Sequence, residues 1–143
     1  MPSISTAVSG VLLNGRKVLL TGRVDERGDI LWAPPGGKIR GGESQTLALV
    51  REFFEETGLD VRIVRFLGEV EVTSPSASYV IMDYLVQATD SKSASNARAG
   101  SDACGLRWFE RKELDETDLA VGVHQFFARF PRIWKPIATS PTP

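Results

Sequence analysis

The chain is nearly without cysteine and histidine: one of each in 143 residues, Cys104 and His124. A single cysteine excludes an intrachain disulfide and suits a reducing compartment, so a cytoplasmic protein is expected. One histidine and one cysteine are too few for a His/Cys zinc site. A serine–histidine–acid triad would have to run through His124, and no nucleophile-elbow motif accompanies it. Both residues read as structural. No stretch approaches 18 consecutive apolar residues, so no transmembrane helix and no membrane partner are expected. The N-terminal run lacks a basic leader, and Asn14, Arg16 and Lys17 interrupt it, unlike a secretory signal. Charge of one sign is missing too. The 17 basic and 18 acidic residues nearly cancel, and no basic block stands ready for duplex nucleic acid.

What is present is an apolar fraction of 42%, ordinary for a globular protein and sufficient at this length for one core. A single domain over residues 1–135 is expected, followed by a disordered tail at 136–143. Residues 5–13 and 17–23 read as strands around the turn "NGRK", whose Asn-Gly pair is a strong hairpin signal. Residues 30–43 carry turn residues throughout their second half. Apolar positions 47, 49, 50, 53 and 54 predict a helix over 45–57, capped by Ser44 or Glu43 and ended by Gly58. Strands are predicted at 61–73, 79–88 and 106–110, and residues 90–101 read as a surface loop. A helical turn or two follows at 111–119, then a helix in 121–134 ended by Pro131. Strands interleaved with helices imply an α/β or α+β sandwich.

One segment departs from this ordinary pattern: "GGKIRGGESQTLALVREFFEETGL", residues 36–59. A glycine-rich loop leads into a helix bearing Glu52, Glu55 and Glu56 at i, i+3 and i+4. Those positions share a helix face, and like charges there cost ~0.2–0.5 kcal/mol per pair. A solvated acidic face is one reading. A divalent cation is the other. Carboxylates with a nearby carbonyl oxygen make the hard-oxygen site that Mg²⁺ or Mn²⁺ prefers, with substrate phosphates as further ligands. The glycines would let the backbone approach such an ion closely.

The full order of residues decides between them. Gly37, five residues, Glu43, seven residues, then Arg51-Glu52-Phe53-Phe54-Glu55-Glu56-Thr57-Gly58-Leu59 resembles the signature of the Nudix hydrolases at every defined position. That signature is G-x5-E-x7-R-E-U-x-E-E-x-G-U, with U a bulky apolar residue. "LWAPPGG" before it and "LRWFERKEL" after it resemble the same family, so the likeness covers about residues 5–130.

The resemblance implies an α/β/α sandwich with a mixed sheet. It implies a pyrophosphohydrolase that cleaves a nucleoside diphosphate linked to another moiety, by water attack on phosphorus. By position, Glu52, Glu55 and Glu56 would be metal ligands, with the Gly37 carbonyl a further one. Arg51 and Glu43 would form a supporting salt bridge, because Arg51, one position from Glu52, is not expected to face it. The base is a box glutamate or an acid in the loop before the late strand, here Asp102. Arg23 is a candidate phosphate contact, and Trp32, Tyr79 and Phe66 are candidate stacking surfaces for a base, each also readable as packing. Pro75, 16 positions after Leu59, resembles a regularity of ADP-ribose pyrophosphatases, while the short chain resembles nucleoside triphosphate pyrophosphohydrolases equally. A non-catalytic nucleotide-binding Nudix module is the alternative. A monomer or homodimer is expected.

Overall fold

The computed structural model describes residues 5–73, 78–90, 105–115, 117–120 and 123–129. Gly15 and Arg16 close the first hairpin. Gly15 has φ 63°, the left-handed backbone that glycine adopts without penalty. The turn joins β1 (Ser5–Asn14) to β2 (Lys17–Val24), paired through Leu13↔Val18 and Asn14↔Lys17. Beyond the turn each strand takes other partners. On one edge Ala7–Ser9 of β1 pair antiparallel with β4 (Gly36–Lys38), and on the other Ser5–Leu12 pair parallel with β6 (Ser78–Ala88). β2 pairs antiparallel with β3 (Ile30–Ala33) and with β7 (Gly105–Glu110). β5 (Val61–Thr73) closes the far edge against β6. The sheet runs β3-β2-β1-β6-β5, with β4 on β1 and β7 on β2. Only the β1–β6 pairing is parallel among these. Parallel neighbours need a long connection, and the chain between them supplies it.

That connection contains α1 (Gln45–Thr57). Ser44 caps it, its hydroxyl accepting from the Leu47 N–H at 3.2 Å. Gly58, at φ 76°, turns the chain out and donates back to the Phe54 carbonyl. The apolar stripe of α1 meets one sheet face. Leu49 and Phe53 are fully buried with Val8, Leu12, Leu19 and Val86. Gly10 makes the approach possible: a Cβ there would stand 3.0 Å from the Phe53 ring.

The other face carries a second apolar cluster. Val11, Val70, Val72 and Leu85 pack with Phe109 and with Val123, Phe126 and Phe127 of α3 (Val123–Arg129). Helices therefore cover both faces of a mixed sheet, the α/β/α arrangement expected. The 79–88 run is core: Tyr84, Leu85 and Val86 are buried. α2 (Arg111–Leu114) is a single turn fixed by a capping box between Glu110 and Glu113. Two short strands, β3 and β4, occupy the 30–43 segment, β4 reaching into the half that the sequence marked by turn residues. β3 is held on its outer side by residues 118–120, through Trp32 N–H to the Asp118 carbonyl and Ala120 N–H to the Trp32 carbonyl, 2.9 Å each. No helix among the described residues is long and apolar enough to cross a membrane. The expected loop at 90–101, Cys104 and the tail lie largely or wholly outside the described residues.

Candidate functional site

β4 and α1 bring the glycine loop and the glutamates together. Gly36, Gly37 and Lys38 lie beside β1, with Gly37 opposite Val8. From there the chain turns through Gly41 and Gly42, the latter at φ 84°, into α1.

Glu56 is the most enclosed of the three helix carboxylates, 4% exposed. One oxygen accepts the Gly36 N–H at 2.9 Å, and the other meets Arg23 Nη2 at 2.5 Å. Burial pushes its carboxyl above the usual value, against the Gly36 and Arg23 contacts, which favour the charged form. Glu52 lies against Gly37 so closely that a Cβ on Gly37 would fall 2.6 Å from its carboxyl carbon. Glu55 is half-exposed.

Arg51 ties the group together. Its Nε and Nη2 reach Glu43 at 2.6 and 2.9 Å, and its Nη1 reaches Glu52 at 2.9 Å and Glu55 at 3.0 Å. The expected Arg51–Glu43 pair is present. The expectation that Arg51 does not face Glu52 is overturned. Adjacent Cα positions diverge on a helix, but the long side chain and forked guanidinium of arginine serve three carboxylates at once. Glu43 also accepts the Arg40 N–H at 2.9 Å. The Arg51 hydrogen bond, then that from Arg40, hold the Glu43 carboxyl down at about 2. Glu43 first and then Glu52 raise the Arg51 pKa, keeping it charged.

In this side-chain arrangement no three Asp, Glu, His or Cys side chains among the described residues converge on a common point. Arg51 and Arg23 hold the carboxylates instead. The donor set nevertheless fits a hard divalent cation: oxygen ligands, a buried carboxylate, and at Gly37 a backbone whose missing Cβ leaves room for Glu52.

A cleft opens from this cluster toward the second sheet face. Its outer part, about 370 Å³, is lined by Gly37, Lys38, Glu52, Arg23 and Tyr79. Its inner part, about 230 Å³, shares Arg23, Gly37 and Tyr79 and continues past Ile81 and Val70 to Asp83 and Phe126. A larger hollow of about 800 Å³, bounded by Arg16, Lys112 and His124, touches none of the box residues.

The other candidates divide. Arg23 and Tyr79 face the cleft. Trp32 packs edge-on against Phe109, centroids 5.1 Å apart, and fills the space over Gly22 and Gly105. Phe66 stands against Tyr84, away from the cleft lining. Neither lines the cleft, and Phe66 stays exposed. Asp102 and Pro75 lie outside the described residues.

Sequence reasoning passed over Asp83. It is 4% exposed, takes a hydrogen bond from the Ser9 hydroxyl, and is pushed by burial up to about 7. The signal was present: one carboxylate inside the apolar run "YVIMDYLVQA".

Comparison with known proteins agrees with this architecture. Residues 4–130 match the family model described as the NUDIX domain. The chain is 30% identical over 140 residues to an RNA pyrophosphohydrolase of Brucella anthropi, covering 93% of this chain and 72% of that one. A 73-residue stretch, 46% of this chain, is 34% identical to MutT4 of Mycobacterium tuberculosis, and there the match spans only 29% of the relative's length. Among solved structures, a NUDIX hydrolase from Nitrosomonas europaea superposes with a TM-score of 0.79 at 20% identity, covering 97% of this chain and 98% of that one.

Proposed function

The chain belongs to the Nudix family and is a Nudix hydrolase, and from that premise we propose that it is a metal-dependent pyrophosphohydrolase acting on a small nucleotide. The observation that carries the proposal is the placement of Glu52 and Glu56 against Gly37 and Gly36 at the mouth of a cleft lined by Arg23. Glu52, Glu55 and Glu56, with the Gly37 carbonyl, would hold Mg²⁺ or Mn²⁺. When bound, the metal supplies charge neutralisation for the diphosphate and a lowered pKa for the attacking water.

The protein's own groups do the rest. Arg51 and Glu43 fix the direction of Glu52 and Glu55. Gly36 fixes Glu56 through its N–H. Arg23 supplies positive charge beside the cleft mouth, available to a phosphate once Glu56 takes another partner. A carboxylate, either a box glutamate or Asp102, would accept the proton of the attacking water, which a bound metal would make more acidic. The P–O bond of the anhydride then breaks, leaving two phosphorylated products.

The substrate is a sugar nucleotide such as ADP-ribose or a nucleoside triphosphate, intact or oxidised. A two-armed assay with Mg²⁺ decides between them. AMP and ribose phosphate from ADP-ribose would assign the first. Pyrophosphate and monophosphate from a deoxynucleoside triphosphate panel would assign the second. Equal inertness of wild type and Glu56→Gln in both arms would refute hydrolysis of these substrates and favour a nucleotide-binding module.

A further inference from the structure

The inner part of the cleft holds a polar pair that hydrolysis does not use. Ser9 of β1 and Asp83 of β6 are direct partners in the parallel pairing. Their side chains therefore leave the sheet on the same face, side by side. That face is the cleft side, where Ser9 and Asp83 both line the inner cavity. Both are buried, at 7% and 4% exposure. Ser9 donates its hydroxyl hydrogen to Asp83 Oδ1. No cation pairs with Asp83 among the described residues, and burial accordingly raises its pKa. A desolvated carboxyl with one neutral partner is costly unless it has a further partner to meet.

The surroundings describe that partner. The cavity of about 230 Å³ is walled by Ala33, Val70, Tyr79, Ile81, Val123 and Phe126. It is smaller than pockets that take whole drug-sized molecules and has apolar walls for a flat ring. Its other end opens at Arg23, Gly37 and Glu52, where the diphosphate would lie. With its hydrogen directed at Asp83, Ser9 offers only lone pairs to the cavity, and ionised Asp83 offers its second oxygen. The pair is thus a double acceptor in the wall of an apolar slot.

Resting on the reading that this cleft takes a nucleotide, we propose that Asp83 and Ser9 read the base and select guanine. Guanine carries two donors side by side, the ring N1–H and the 2-amino group. Adenine and cytosine each set a ring acceptor beside their amino donor, and uracil flanks its single N–H with two carbonyls. Those acceptors would face the lone pairs of Asp83. Two donors on the carboxylate favour its charged form and make charge-assisted bonds. Asp83 is a specificity-determining residue, one strand removed from the box through Ser9, which pairs with Gly36.

Equilibrium binding tests this apart from turnover. Wild-type protein is titrated with GDP, IDP, ADP and XDP in the presence of Mg²⁺. IDP lacks only the 2-amino group, and XDP carries a carbonyl in its place. Wild type should bind GDP about tenfold or more tighter than IDP or ADP, as for a bidentate base contact. Asp83→Asn presents one acceptor and one donor. It should lose the GDP advantage over IDP and gain affinity for XDP, a gain that a misfolded variant cannot produce. Equal binding of all four by wild type, no GDP binding, or an unchanged GDP/IDP ratio in Asp83→Asn would overturn the assignment. Should base selection fail while Glu56-dependent hydrolysis of any nucleotide persists, the proposed function stands without it.

Discussion

Replacing Gly37 with alanine should separate activity from folding. Gly37 is not among the glycines with positive φ, so alanine meets no backbone barrier there. The new Cβ would stand 2.6 Å from the Glu52 carboxyl carbon and from one of its oxygens. That group is the free end of a flexible side chain, and it can swing aside. The folding cost then sits at the low end of overpacking, about 1 kcal/mol, partly offset by a stiffer unfolded chain worth ~0.4–1 kcal/mol. For a domain of this size the melting temperature should change by no more than roughly 2–4 °C. Activity should fall far more, because a displacement of about 1 Å in a positioned group costs on the order of a hundredfold.

Two neighbours calibrate the result. At Gly41 a Cβ meets nothing within 4 Å, so Gly41→Ala should keep both stability and turnover. At Gly36 it would fall 2.0 Å from the Val8 carbonyl oxygen, a backbone atom that cannot yield without parting β4 from β1, so Gly36→Ala should fail to fold. Thermal unfolding and kcat/KM with Mg²⁺, measured on all three, decide the matter. Wild-type turnover in Gly37→Ala would refute the placement of Glu52 in the reaction. Unfolding of Gly37→Ala like Gly36→Ala would refute the claim that only a side-chain end is displaced.

Arg51→Met should lower kcat by about 10- to 100-fold, as loss of a positioning contact does, with a smaller change in KM. It should also alter acid stability. The Glu43 carboxyl titrates at about 2 in the folded protein, against an ordinary 4.5, so its contribution is present above 4.5 and is lost as pH falls toward 2; urea midpoints across that window should show a loss in wild type that is diminished in Arg51→Met. Asp83 has the opposite sign. Its pKa is raised from 3.8 to about 7, so its contribution is full below 3.8 and lost as pH rises to 7, and Asp83→Asn should flatten the urea midpoint over that range. Ser44→Ala removes the cap on the Leu47 N–H and should cost about 1 kcal/mol in denaturant unfolding.

Local rules made much of this legible. The helix at 45–57, its Ser44 cap and the left-handed Gly58 follow from short-range chemistry, and the structure places all three there. The Asn14-Gly15 hairpin is equally local. What the sequence concealed is long-range. β4 is three residues whose strand character comes from pairing with β1, not from its own glycines. The parallel β1–β6 contact joins residues more than 70 positions apart, such as Ser9 and Asp83, and no local pattern announces it. β6 is covered on both faces, so its apolar residues run without clean alternation and Asp83 goes unnoticed among them. Trp32 and Phe66 lie off the cleft lining, a placement no local pattern announces, because an aromatic residue carries no mark of which face it meets. Arg51 was misjudged on Cα spacing alone, which ignores the reach of the guanidinium.

The central claim is that the box glutamates hold a divalent metal that hydrolysis requires. Chelator-treated protein should be titrated with Mn²⁺, following metal binding and nucleotide turnover in the same samples, for wild type and Glu56→Gln. Saturable binding with turnover restored in parallel, and both reduced at least about a hundredfold in Glu56→Gln, is the predicted result. Turnover that survives chelation, or a Glu56→Gln variant that binds Mn²⁺ and turns over like wild type, would contradict it.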